Sequence, residues 1–271
     1  MKGSNAPGSP FARASTTPLG GIVPVSPRPA RRPALLTPAA RKAVLHHMLL
    51  FRQASLDRIA QLTESTPVDL KRFRRDLVES GVPEVLLQRG VSLPFTRELP
   101  QGALLYLMVR ALRPQRIVET GVGPGYSTAW LLAGLDANRH GELISLGPGP
   151  SQGRASGVAE ATVGQFVAPS LRSRWTLVLG NTVDRLGEIL RQEGGRVDLF
   201  FYDNGPEVNR ARFELRAAWS ALSPHGHLLA HHVDANTAWT EICRLQGLAP
   251  QVLDAGPPPL GALEMRSARL A

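Results

Sequence analysis

The sequence predicts a doubly wound α/β domain: a mostly parallel, seven-stranded sheet covered by helices on both faces, with a helical segment before it. Three observations predict it. From about residue 100 onward, short strand-like apolar runs alternate with longer runs at helical spacing, the pattern of parallel strands joined by crossover helices. A glycine-rich turn joins one such strand to one such helix. Hydrophobic residues make up 43% of the 271, enough for the core of one domain of this kind.

The elements follow in order. Residues 1–36 read as a disordered tail. Pro7, Pro10, Pro18, Pro24, Pro27, Pro29 and Pro33 recur through it, and proline removes backbone donors and fixes φ. The first 45 residues hold seven basic side chains and no acidic one, out of 31 basic and 22 acidic in the whole chain. The formal charge of +9 is therefore mostly a property of the tail. Such an arm attracts anions without specificity.

Residues 37–98 read as a helical cap or dimerisation segment, so a homodimer is one expected assembly. Ala43, Val44, His47, Leu50 and Phe51 keep helical spacing, as do Leu70, Phe73, Leu77 and Val78, with Asp69 at a start and Gly81 at a stop. Residues 99–271 form the α/β unit. Strands are expected at 116–120, 142–146, 175–179, 197–202 and 227–231. Helices are expected at 101–112, 127–135, 183–192, 208–222 and 235–245. Val252 and residues 260–265 suit a closing hairpin.

Several classes are set aside. No run of 18 apolar residues exists, so no membrane span is expected. No apolar stretch follows the N-terminal charges as a secretory signal requires. The single cysteine, Cys243, excludes an intramolecular disulfide framework and falls on a helical run, where a buried thiol is expected. A cytoplasmic setting fits. Nucleic acid is disfavoured as a partner, because no basic patch interleaved with aromatics is present. His46, His47 and His225 read as structural.

On a doubly wound sheet, ligands bind beyond the carboxyl ends of the strands. The run Glu119-Thr120-Gly121-Val122-Gly123-Pro124-Gly125 lies at such an end. Glycines let backbone approach a ligand closely, and the next helix offers free N–H groups. A nicotinamide fingerprint would need glycine at 126 and an acid at the end of the next strand. Tyr126 and Gly147 stand there instead. Asp203 ends the fourth strand and His231-His232 the fifth, so these groups should converge. An imidazole there can take a proton from a hydroxyl. Alternation of strand residues lets only one of the two histidines face the pocket, and His232 is favoured. Asp203, His232 and Asp234 would also make an oxygen and nitrogen set for a divalent metal.

The spacing E-x-G-x-G-x-G resembles the first motif of class I S-adenosylmethionine-dependent methyltransferases. Residues 164–169, 175–181, 197–203, 214–219 and 231–236 are similar to the bacterial small-molecule O-methyltransferase and cephalosporin-hydroxylase-like branch. The resemblance implies a Rossmann-like methyltransferase fold over about residues 100–267. It implies S-adenosylmethionine held by Glu119, Gly121, Gly123, Gly125, Ser127 and Asn181, and methyl transfer to a small-molecule hydroxyl. The sequence departs from the family at four places. Gly147 stands where an acid for the ribose is usual, with Ser145 as the nearest substitute. Asn204 follows Asp203, Asn181 replaces an aspartate, and His231-His232 replaces an acidic pair. A domain that has lost catalysis and serves as a scaffold or ligand sensor is the alternative function.

Overall fold

The computed structural model describes residues 53–88, 99–148, 163–205, 207–235, 237–254 and 259–265. The expected tail at 1–36, and residues 37–52 of the helical segment, lie outside the described residues.

Three helices come first: α1 (Gln53–Thr63), α2 (Pro67–Glu79) and α3 (Val82–Gln88). α2 starts where the sequence marks a start. Thr66 and Asp69 cap each other's backbone, and Pro67 supplies a fixed φ at the first turn. α4 (Leu99–Leu112) precedes β1 (Arg116–Thr120), α5 (Tyr126–Asn138) and β2 (Glu142–Gly147). A 3₁₀ turn (Pro169–Arg174) leads into β3 (Trp175–Leu179) and α6 (Thr182–Glu193). β4 (Val197–Tyr202), α7 (Val208–Ala221), β5 (Leu222–His231) and α8 (Ala238–Leu245) follow, and β6 (Val252–Asp254) and β7 (Leu260–Glu264) close the chain.

The seven strands form one sheet in the order β3-β2-β1-β4-β5-β7-β6. β1 to β5 pair in parallel, and β7 runs antiparallel to β5 and β6. β1 and β4 are buried on both faces over most of their length, as central parallel strands are. One face carries α4 and α5 with the N-terminal helices, in a core that includes Ile59, Phe73, Leu105 and Trp130. The other carries α6, α7 and α8, with Leu186, Trp219 and Trp239. The expected helix at 235–245 starts at Ala238, because the chain turns after β5 with Ala235 N–H bonded to the His232 carbonyl at 3.0 Å. Among the described residues no helix is long and apolar enough to cross a membrane.

The N-terminal helices bury their apolar side chains in the domain's own core. Two polar links fix them. His227 of β5 meets the Leu62 carbonyl at the end of α1, with Nε2 to oxygen 3.1 Å. Because a carbonyl only accepts, that nitrogen carries the proton. The second link is Arg110 of α4. Its guanidinium donates to Asp76 of α2 at 2.9 Å, Tyr106 Oη at 2.7 Å and Asn138 of α5 at 3.0 Å. It also lies 4.7 Å from the centroid of the Phe73 ring. Every bond it makes has a buried or half-buried acceptor.

Arg110→Ala should therefore cost about 3 kcal/mol or more, since it strips three acceptors of their donor at once. Urea unfolding measures the loss. A change under about 0.5 kcal/mol, the scale of ordinary surface substitutions, would refute the link.

Candidate active site

The residues singled out in the sequence gather along the carboxyl edge of the parallel strands. The turn after β1 is fastened from beneath: Gly121 N–H bonds to the Leu146 carbonyl at 3.0 Å and Gly125 N–H to Val122 at 2.8 Å. The segment after residue 163 fastens it from the side. Gly164 N–H bonds to the Gly123 carbonyl at 3.0 Å, and Phe166 N–H to Pro124 at 2.9 Å.

The three glycines do different work. At Gly121 a Cβ would fall 2.1 Å from the Asp203 carbonyl oxygen, so the turn can lie against the end of β4 only without a side chain. Gly125 caps α5 and backs onto Gly164, whose Cα would lie 2.8 Å from an added Cβ. Gly123 has φ +46°, and among the described residues nothing lies within 4 Å of where its Cβ would be. Contacts within the protein account for the first two; for the third, no described residue does. The N-cap position of α5 is Gly125, which has no side chain with which to cap the first turn.

Glu119 is wholly buried. Ser127 donates to its Oε1 at 2.7 Å; Thr128 and Ser145 donate to its Oε2 at 2.8 and 2.6 Å. Burial pushes its carboxyl above the usual range, the three hydroxyls pull it back, and the charge of Asp203 adds a smaller push upward. The expectation of Glu119 and Ser127 as cofactor contacts thus meets a different geometry: the carboxylate and the hydroxyl are turned inward, toward each other. The strand geometry explains it. Glu119 sits before the turn and, beside its register partner Ser145, points under α5. Ser145 is equally buried and engaged, so it does not stand in for the missing acid at 147. At Gly147 itself a Cβ would meet Leu179 Cδ2 at 3.2 Å and Val163 Cγ1 at 3.3 Å.

Asn181 follows β3 and caps α6, its Oδ1 accepting from Val183 N–H at 3.1 Å. Its amide oxygen is therefore spent on the helix.

Asp203 follows β4, with its N–H on the Thr120 carbonyl at 2.8 Å. His231 donates from Nδ1 to Asp203 Oδ1 at 2.9 Å. A carboxylate only accepts, so Nδ1 carries the proton. The His231 ring is buried edge-on to Phe201, 5.0 Å between centroids, and its Nε2 is closed to solvent. The bond to Asp203 is made by His231, while His232 is the residue expected to face the pocket. β5 ends at His231, and His232 takes a left-handed turn with φ +59°, so strict strand alternation stops one residue early. His232 is half-buried, with its ring 6.2 Å from that of His231. Burial lowers its pKa below 6.5; the charges of Asp203 and Asp234 oppose that shift and His231 adds to it.

The expected metal set Asp203, His232 and Asp234 does not assemble. Among the described residues no three His, Cys, Asp or Glu side chains are arranged to hold a metal ion. Asp203 is committed to His231, and the turn after β5 leaves Asp234 on the exposed surface.

One part of the edge escaped the sequence reading. Asn204 donates from Nδ2 to Glu214 Oε1 at 2.9 Å, and Glu214 on α7 is fully buried. Burial pushes the Glu214 carboxyl upward, while the nearby Thr120 hydroxyl and the bond from Asn204 pull it back. The signal was available: Glu214 falls on the apolar stripe of Ala211, Leu215 and Ala218, where a charged residue needs partners.

Residues 118–233 match a family profile described as a methyltransferase domain. A catechol O-methyltransferase of Niastella koreensis is 27% identical over 127 residues, 47% of this chain and 49% of that protein. The match thus spans about half the length of that relative. Among solved structures, the O-methyltransferase from Bacillus cereus in complex with SAH is 16% identical, with TM-score 0.49, covering 84% of this chain and 97% of the other. A SAH-bound methyltransferase of Podospora anserina is 18% identical, with TM-score 0.49, covering 81% and 98%. Residues 118–233 are thus similar to a methyltransferase domain, and the acid–glycine turn at 119–125 lies inside the matched stretch.

Proposed function

We propose that the chain transfers a methyl group from S-adenosylmethionine to the hydroxyl of a small molecule. The observation that carries the reading is the turn at Gly123, where among the described residues nothing lies within 4 Å of an added Cβ, beside the start of α5 and with Asp203 and the two histidines ending the neighbouring strands. The name of the Niastella relative supports a hydroxyl acceptor.

The cofactor supplies an electrophilic methyl group on a sulfonium. The backbone of Gly121 to Gly125 and the first turn of α5 would hold it, with Asn181 offering its amide N–H from the β3 edge. The acceptor oxygen must lose a proton as it is methylated, and His232 is the group placed to take it. It is half-buried rather than closed off, and its lowered pKa keeps it neutral at pH 7. Once it is protonated, the nearby Asp203 charge stabilises the imidazolium. His231 serves Asp203 instead, because its Nδ1 is committed there and its Nε2 is shut from solvent.

Two measurements test the reading. Titration calorimetry should give micromolar binding of S-adenosylhomocysteine, about −8 kcal/mol. Gly123→Val should abolish that heat by filling the open side, at a folding cost of roughly 1–3 kcal/mol for the left-handed φ. Wild-type protein that gives no heat at millimolar ligand would sink the proposal.

The second measurement is the pH profile. A base whose folded pKa lies below 6.5 loses activity as pH falls through that folded value and gains nothing further above neutrality. The same shift stabilises the fold above pH 6.5, and that contribution is lost as pH falls. With catechol as probe acceptor, turnover should level off before pH 7, and His232→Ala should lower it by roughly 10²–10⁴. NMR titration of the His232 ring checks the pKa without turnover. A ring titrating above 6.5 would remove His232 as the base.

A further inference from the structure

Trp175 opens β3, two strands away from β1, yet it reaches the supports of the glycine turn from two directions. Its indole Nε1 donates to Ser145 Oγ at 2.9 Å, and Ser145 donates to Glu119 Oε2 at 2.6 Å. The indole N–H can only donate and the carboxylate can only accept, so the direction of this chain is fixed: Trp175 orients the Ser145 proton toward Glu119. Glu119 in turn holds Ser127 and Thr128 in the first turn of α5.

The second direction is through contact. The rim of the indole covers Gly164, where an added Cβ would fall 2.3 Å from Cη2. Gly164 is the residue whose N–H bonds the Gly123 carbonyl and against which Gly125 packs. Arg172 holds the outer side. Its guanidinium lies 5.9 Å from the centroid of the Trp175 ring and donates to the carbonyls of Val167 and Gly164 at 3.2 and 3.4 Å. One side chain therefore braces the turn from below, by hydrogen bonds, and from the flank, by packing. Its own backbone lies at the opposite end of β3 from the ligand edge, about 13 Å along the strand.

We propose that Trp175 is a positioning residue for the cofactor: it sets the affinity for S-adenosylmethionine and its product by holding the glycine turn from both sides. This rests on the cofactor assignment made above. Ser145→Ala removes the chain of hydrogen bonds and leaves the ring against Gly164. It should weaken S-adenosylhomocysteine binding about fivefold in calorimetry, the worth of one hydrogen bond. Trp175→Phe removes the N–H and draws the ring rim back from Gly164, so it should weaken binding further than Ser145→Ala, and Trp175→Leu further still. The double variant of Ser145→Ala with Trp175→Phe should cost less than the sum of the two, because both act on one chain of bonds.

A second readout needs no ligand. Amide hydrogen exchange at Gly121, Gly125 and Gly164 should quicken in Trp175→Phe, while that at Leu228 and Leu229 in the distant β5–β7 pair should not. Unchanged affinity together with unchanged exchange at the turn overturns the proposal, whatever happens to the melting temperature. If the wild type binds neither S-adenosylmethionine nor S-adenosylhomocysteine, the cofactor assignment fails. The exchange data then decide alone: a faster turn keeps Trp175 as its brace, and an unchanged turn removes it.

Discussion

A carboxylate taken wholly out of water must be matched by donors inside the protein, and the joint between β1 and α5 is organised by that requirement at Glu119. Its three hydroxyl partners come from two different elements, so satisfying one charge ties the second strand and the following helix to the first. The turn between them has little freedom left: its N–H groups are spent on Leu146 and Val122, and its carbonyls on Gly164 and Phe166. Among the described residues nothing fills the outer side of Gly123, beside the start of α5. Rigidity underneath and openness above are the two properties a small-ligand cradle needs, and here they follow from one buried charge.

The neighbouring strand ends are arranged by the same logic on a smaller scale. Asp203 and Glu214 are drawn into the protein and each acquires a partner, His231 for the one and Asn204 for the other. Gly121 lets the first turn approach the second so closely that backbone touches backbone. The β1 and β4 ends thereby become one surface rather than two loops, and the half-buried His232 stands beside it.

Much of this was legible in the sequence. Alternating apolar runs located each strand of the α/β unit, because strands buried on both faces leave an uninterrupted signal. The acid–glycine spacing located the turn. The functions of individual side chains were harder to read. Ser127 was read as a cofactor contact and Ser145 as a substitute for an acid; only the register that sets Ser145 beside Glu119 shows that, with Thr128, they serve a single carboxylate. Strand alternation could not show the bond from His231 to Asp203, and the left-handed residue at 232 ends the alternation on which the reading of the pair depended. The metal set failed for the same cause, since the turn that follows carries Asp234 outward. Trp175 had no signal at all, because its two contacts join segments far apart in the chain.

The crowding at Gly147 limits what the end of β2 can offer a ligand. Leu179 and Val163 already press on the place where any side chain would begin, at 3.2 and 3.3 Å. An acid installed there meets those two side chains before it meets a ligand, and they must give by a few tenths of an ångström to admit it. Making Leu179 or Val163 smaller would make that room, at the cost of a void while the glycine remains. The polarity of this strand end is thus set by the packing around it as much as by position 147 itself.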